Sequence, residues 1–132
     1  MTKVKIEKKT WDELSNIAWN HRENARILGK TKVGAAVLSN KEIFGGCNIE
    51  HQFRSHDIHS EISAISAMIS SGNKKLDAIL VVSERDKFTP CGVCLDWIFE
   101  FGGPTCLVGY QTKKKGEITI FQAQELMPHY PS

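Results

Sequence analysis

"TCLVGYQTKKKGEITIF", Thr105 to Phe121, carries two apolar runs joined by a short polar link. "TCLVGY" and "EITIF" each have the length and β-branched or aromatic content of a strand. Tyr110 and Glu117 are joined by too few residues for a crossover helix, so these two strands should pair antiparallel. The link itself, "TKKKGE" (Thr112 to Glu117), reads as a solvated basic turn.

Upstream, "AILVVS" (Ala78 to Ser83) is a continuous apolar run, as expected for a strand covered on both faces. Between it and "TCLVGY" lies a helix opened by Pro90-Cys91, with Val93, Trp97, Ile98 and Phe101 as apolar positions and Gly102-Gly103-Pro104 closing it. "KVGAAVL" and "EIFGGCNI" flank Ser39-Asn40-Lys41 and read as a hairpin. A capping box, Thr10 with Glu13, opens a first helix through Trp11, Leu14 and Ala18 to about Ile27 or Leu28, with Gly29 as its stop. A second helix has Ile62, Ile65 and Ile69 on its apolar face and ends at Ser71-Gly72-Asn73. A short last helix is expected at "AQELMP". The order α-β-β-α-β-α-β-β-α predicts an α/β fold: one mixed five-stranded sheet flanked by helices in three layers, with the last two strands antiparallel.

The 132 residues fit a single domain, 1–132. With 41% hydrophobic and 24% charged residues and a net charge of +2, nothing in the balance calls for a nucleic acid polymer or a membrane. No apolar run approaches the roughly 20 residues of a membrane span, and "MTKVKIEKKTWDE" is too charged for a signal peptide's core. The cytoplasm is the expected compartment. There Cys47, Cys91, Cys94 and Cys106 should be thiols, metal ligands or catalytic groups rather than disulfides. Cys47 and Cys106 fall in strands and read as buried thiols. Trp11, Trp19 and Trp97 read as core or interface.

The chemistry lies in "TPCGVC" and "DIHSEISAIS". Cys91 and Cys94, three apart on a helical turn, can both reach one tetrahedral zinc, and a helix N-terminus favours their thiolates. A lone C-x-x-C could equally be half of a structural zinc site, a redox pair or two core cysteines. A structural site needs four protein ligands, and no second C-x-x-C or H-x₃-H exists. A redox pair would sit early in the fold. His59, at the head of the second helix, can supply a third ligand and leave the fourth position to water, which is the catalytic arrangement. Glu61 then stands beside the metal without binding it, placed to move protons.

His59-Ser60-Glu61 followed by Pro90-Cys91-Gly92-Val93-Cys94 matches the zinc deaminase signature. Within that group the chain resembles the small cytidine deaminases. "KVGAAV" is similar to their V-G-A-A strand, "GCNIE" to their G-x-N-x-E, and "ELMP" to their E-L-L-P; the resemblance runs from Leu14 to Pro128. It implies His59, Cys91 and Cys94 as ligands of one Zn²⁺ per chain, with Glu61 as proton shuttle. It further implies Asn48 and Glu50 on the sugar hydroxyls and the backbone near Ser60 against the pyrimidine. The implied reaction is attack of zinc hydroxide on C4 of cytosine in cytidine or deoxycytidine, with loss of ammonia, as in pyrimidine salvage. It also implies a homotetramer in which neighbours help close the pocket, with Phe53, Arg54 and the C-terminal segment as candidates for that contact.

The chain departs from that pattern in three places. Many relatives use three cysteine ligands and an arginine soon after the glutamate, whereas here His59 and Ile62 stand in those positions. Two thiolates and a neutral imidazole sum to zero with Zn²⁺, so no arginine is needed. Leu95 and Asp96 replace an arginine–amide pair, and Thr31 falls where an aromatic residue lines the relatives' nucleoside pocket. With the cationic loop from His51 to His56, these changes raise a modified cytosine nucleoside, blasticidin S or an acylated or phosphorylated one, as an alternative substrate. A tRNA adenosine or guanine deaminase and a non-catalytic zinc scaffold are more distant readings. The former sits poorly with the short link after Tyr110 and with Val93, the latter with an intact Glu61.

Overall fold

Why the ends of four strands meet on one side of this molecule follows from its pairings. The computed structural model describes residues 6–86 and 88–131. Its elements are α1 (Lys8–Arg22), β1 (Gly34–Ser39), β2 (Glu42–Cys47), a 3₁₀ turn (Arg54–His56), α2 (Ser60–Ser70), β3 (Ala78–Val82), α3 (Gly92–Gly102), β4 (Leu107–Gln111), β5 (Thr119–Gln122) and α4 (Ala123–Leu126). One sheet runs β2-β1-β3-β4-β5. β1 pairs antiparallel with both β2 and β3; β3 and β4 are parallel, and β4 and β5 are antiparallel as their short link requires. The expected element order and mixed five-stranded sheet are present.

The sheet separates two apolar layers. On one face α1 buries Trp11, Leu14, Ala18 and Trp19 against Ala36, Leu38, Leu80 and Val82. On the other, Ala64, Ile65 and Met68 of α2 and Leu95 and Ile98 of α3 pack on Ala35, Val37, Ile79 and Val81. Alternate residues of β1 and β3 therefore face opposite layers, and every residue of both strands is buried. At roughly 1.5–3 kcal/mol for each large aliphatic side chain so buried, the central strands anchor the fold.

Three expectations about the helices are corrected. Helix α1 starts at Lys8 with Glu7 as its N-cap, so Thr10 lies in the first turn and donates its backbone N–H to the Glu7 carbonyl (3.0 Å). No Thr10–Glu13 capping box forms. The same helix ends at Arg22, well before Ile27, because the following chain is drawn to β2's exit: Arg26 bridges Ile49, and Glu50 captures the Leu28 and Gly29 amides. In α3 the buried positions are Cys94, Leu95, Ile98 and Gly102, while Val93 is 61% exposed. Both cysteines turn toward α2, which rotates Val93 out to solvent.

Most other expectations hold. Asn40 and Lys41 have positive φ (49° and 68°), the two-residue turn that suits a twisted hairpin. Helix α2 ends at Ser70, with Gly72 at φ 101°. The last helix is one turn, closed by a capping box between Gln122 and Glu125. Cys106 is buried as expected, though just before β4 rather than in it, and burial pushes its thiol up to about 12. The expected burial of Cys47 is corrected, since at the end of edge strand β2 it is only half-buried, its thiol still raised by burial. Trp97 is partly buried beside Phe101. Among the described residues, no helix is long and apolar enough to cross a membrane.

Gly46 sets how closely α2 approaches β2, since a Cβ there would lie 2.4 Å from the Ala64 backbone nitrogen. Gly46→Ala is expected to lose about 1–3 kcal/mol of stability, read as a fall in the denaturation midpoint. An unchanged midpoint would show that α2 shifts freely.

Candidate active site and metal centre

The pairings bring the site together. Gly34 at the start of β1 lies opposite Cys47 at the end of β2 and Val82 at the end of β3. The segments before β1, after β2 and after β3 thus leave the sheet at one end, the carboxyl end of β3, where open α/β sheets carry ligands. His59 is the N-cap residue of α2 and Cys91 that of α3, so two helix N-termini converge there.

His59, Cys91 and Cys94 each offer a ligand atom, and these three atoms lie within 4.8 Å of one another. His59 Nδ1 faces both sulfurs, 3.3 Å from Cys94 Sγ and 3.4 Å from Cys91 Sγ. Around a tetrahedral zinc, nitrogen and sulfur ligands stand about 3.6 Å apart, so the donor set fits that ion with little movement. Burial, reinforced by Glu61 and Cys91, pushes the Cys94 thiol far above its ordinary range. A divalent cation at this point would offset the crowding and favour the thiolates.

Beside the cluster lies a cavity of about 360 Å³ whose walls include His59, Ser60, Glu61 and Cys91. The Glu61 carboxylate is buried, and Ser60 Oγ donates to its Oε1 (2.7 Å). Thr31, Asn48, Glu50 and Arg54 line the same cavity. The structure therefore gathers every candidate site residue except Phe53, which is 63% exposed, outside the cavity wall, stacked with His51 and edge-on to His56. Cys94 lies behind the wall, fully buried.

Asn48 and Glu50 already do structural work. Asn48 Oδ1 accepts from the Val33 amide (2.9 Å) and Nδ2 donates to the Thr31 carbonyl (3.0 Å). Glu50 Oε1 accepts from Leu28 (2.6 Å) and Gly29 (2.8 Å), while Oε2 meets Arg54 Nη2 at 3.2 Å. Each side chain retains hydrogen-bonding capacity toward the cavity. Arg54 also binds Asp57 (2.9 Å), whose other oxygen accepts from the His51 amide. The Asp57 bond raises the Arg54 pKa.

Sequence reasoning missed Asp57, Arg85 and Phe88 in the cavity wall. Phe88 puts an aromatic ring in the wall from the segment before Cys91, packed on Tyr110 (5.4 Å). The only local signal was an aromatic residue two places before Pro90. Leu95 and Asp96 diverge, Leu95 into the core and Asp96 outward to accept a hydrogen bond from Tyr130.

Known proteins share this architecture. The family described as "Cytidine and deoxycytidylate deaminase zinc-binding region" matches residues 8–110. A protein of Sporosarcina psychrophila named cytidine deaminase is 34% identical over 110 residues, 81% of this chain and 80% of that one. The crystal structure of cytidine deaminase from Burkholderia pseudomallei aligns with a TM-score of 0.81 at 28% identity, covering 94% of this chain and 98% of that one. Cytidine deaminase from Mycobacterium leprae aligns with a TM-score of 0.75 at 30% identity, over 90% and 98% of the respective chains.

The Glu50 contacts have a pH signature. The Gly29 amide, then that of Leu28, holds its carboxyl below the usual range, and the His51 amide does the same for Asp57. Because the folded values are depressed, this stabilisation is complete above the ordinary carboxylate range and is lost as pH falls through the lowered values. The Leu28 and Gly29 amide resonances are expected to titrate together, with a midpoint below that of an ordinary glutamate, and to stop titrating in Glu50→Gln. A midpoint at the ordinary value would contradict the assignment.

Proposed function

We propose that this chain, which belongs to the cytidine and deoxycytidylate deaminase family, hydrolytically deaminates a cytosine nucleoside, cytidine or deoxycytidine. The observation that carries this reading is Glu61, a buried carboxylate on the wall of the cavity that His59 and Cys91 also line. It is not one of the three clustered donor residues. A first-turn acid of α2 also suits the helix N-terminus, but its place on the cavity wall puts this carboxylate within reach of a proton on a bound molecule.

His59, Cys91 and Cys94 would hold one zinc, which when bound supplies Lewis acidity that lowers the pKa of water from about 15.7 to about 7. In the reaction, oxygen from water bonds to C4 of the base and the C4–N4 bond breaks. Glu61 takes one proton from the attacking water and delivers it to N3. It then carries the second from the C4 hydroxyl to N4, which leaves as ammonia as the C4 carbonyl of uracil forms. Ser60 Oγ, bonded to Glu61 Oε1, keeps the carboxylate in one orientation and leaves Oε2 for the proton. Phe88 and Val81 offer an apolar wall to the planar base and exclude water from it.

Asn48 and Glu50 are assigned to the sugar hydroxyls, with Thr31 and Arg54 at the same wall. The Arg54 contact with Glu50 is an exposed ion pair and therefore weak, so a hydroxyl can replace it, while two backbone amides keep the carboxylate in place. The same reading places the enzyme in the cytoplasm, acting in pyrimidine salvage. It takes the chain as one domain that assembles as a homotetramer, with exposed Phe53 at the contact between copies. Light scattering tests that assembly: a monomeric mass at micromolar concentration would exclude it.

The purified protein is expected to hold one zinc per chain by elemental analysis and to release ammonia from cytidine. Glu61→Gln should keep the zinc and lose about 10²–10⁴-fold in kcat. His59→Ala or Cys91→Ala should lose both metal and activity. Retained turnover in Glu61→Gln would remove Glu61 from the mechanism.

A further inference from the structure

The catalytic cavity shares a wall residue with a second, open groove. Arg85 lines both, and the groove measures about 660 Å³. The other walls of the groove are Glu84, Asp86, Thr112, Lys113 and Lys114. The sheet accounts for the adjacency. Val82 and Gln111, the last residues of parallel strands β3 and β4, are register partners, and the Ser83 amide donates to the Gln111 carbonyl (3.2 Å). The segment after β3 and the lysine turn after β4 consequently leave the sheet side by side. Gln111 Nε2 closes that turn by donating to the Gly116 carbonyl (2.8 Å).

We propose that Arg85, with Lys113 and Lys114, binds the phosphate groups of the substrate, so that the preferred substrate is a cytosine nucleoside phosphate. This rests on the cytosine-deamination reading above. The two arginines of the catalytic cavity are unlike each other. Arg54 is engaged by Asp57 and Glu50. Arg85 lies over the Phe88 ring, 5.5 Å from its centroid, and among the described residues no carboxylate pairs with it. Of the two acids in the groove, Glu84 also lies 3.6 Å from Arg22, and Glu84 and Asp86 together face the three cations Arg85, Lys113 and Lys114, so the groove keeps a positive balance.

A guanidinium stacked on an aromatic ring has its donor edge free for a bidentate contact, the geometry that suits a phosphate. Lys113 and Lys114 continue the positive charge outward and would receive a second phosphate. A neutral sugar substituent would gain nothing from these groups. Three cations on two adjoining loops, in a chain of net charge +2, suit a mono- or diphosphate rather than a polynucleotide. The lysine turn is thereby part of the substrate site rather than solvated surface alone.

The test compares kcat/KM for cytidine, cytidine monophosphate and cytidine diphosphate in the zinc-loaded enzyme, in Arg85→Ala, in Arg85→Lys and in Lys113→Ala/Lys114→Ala. Calorimetric titrations with uridine and uridine monophosphate run in parallel, with a thermal melt of each variant to confirm folding. The unaltered enzyme should favour the monophosphate over cytidine by roughly tenfold or more, an advantage that added salt erodes. Arg85→Ala should remove most of that ratio, Arg85→Lys should restore part of it, and the double lysine variant should affect the diphosphate more than the monophosphate. Cytidine as the better substrate, or a ratio indifferent to Arg85, would overturn the proposal. If no cytosine compound is turned over, the deamination reading fails. The phosphate site is then decided by whether uridine monophosphate outbinds uridine and depends on Arg85.

Discussion

Everything in this molecule depends on how β1 is paired. It lies antiparallel to a strand on each side, and β3 on its inner edge runs parallel to β4. That arrangement puts the start of β1 and the ends of β2, β3 and β4 at one end of the sheet. Two helices then begin at that end. Their N-termini carry His59 and Cys91, and with Cys94 one turn further along α3 the three ligand atoms lie within 4.8 Å of one another. The close approach is built from small residues: a Cβ on Gly34 would lie 2.1 Å from the Ala18 carbonyl, and one on Gly46 would strike α2.

One end of the sheet thus concentrates ionisable groups, and their surroundings drive them in opposite directions. Backbone amides hold Glu50 and Asp57 ionised. Burial and neighbouring negative charge push the Cys94 thiol up. The first effect fixes the loops that form the mouth of the cavity. The second keeps the Cys94 thiol protonated, and a bound divalent cation would favour its thiolate instead. The carboxylates of the rim and the donor cluster at the base are gathered by the same few strand ends.

Much of this was legible in the chain. The short link after Tyr110 required the antiparallel final pair, and the apolar run at Ala78–Val82 marked the central strand. His59, Glu61, Cys91 and Cys94 were legible because helix-head ligands at fixed spacing leave a local imprint. The end of α1 was not legible: its sequence could continue as a helix, and the contact that diverts it comes from Glu50, more than twenty residues on. Val93 was misjudged for a related reason. Periodicity shows that a helix has a face but not which way it turns, and here the cysteines set the rotation.

By itself, then, the sequence determined the order of elements, the mixed sheet, the donor set and the carboxylate beside it. These rest on short-range rules: strand and helix periods, link lengths and the spacing of ligands along one turn. Only the tertiary structure decided that Phe88 rather than Phe53 walls the cavity, that Arg54 is held by two carboxylates, and that Arg85 faces both the cavity and the lysine turn. Those contacts join segments distant in the chain. Their partners are chosen by sheet register and by the packing of loops at its end, which leave no mark on the local pattern of residues.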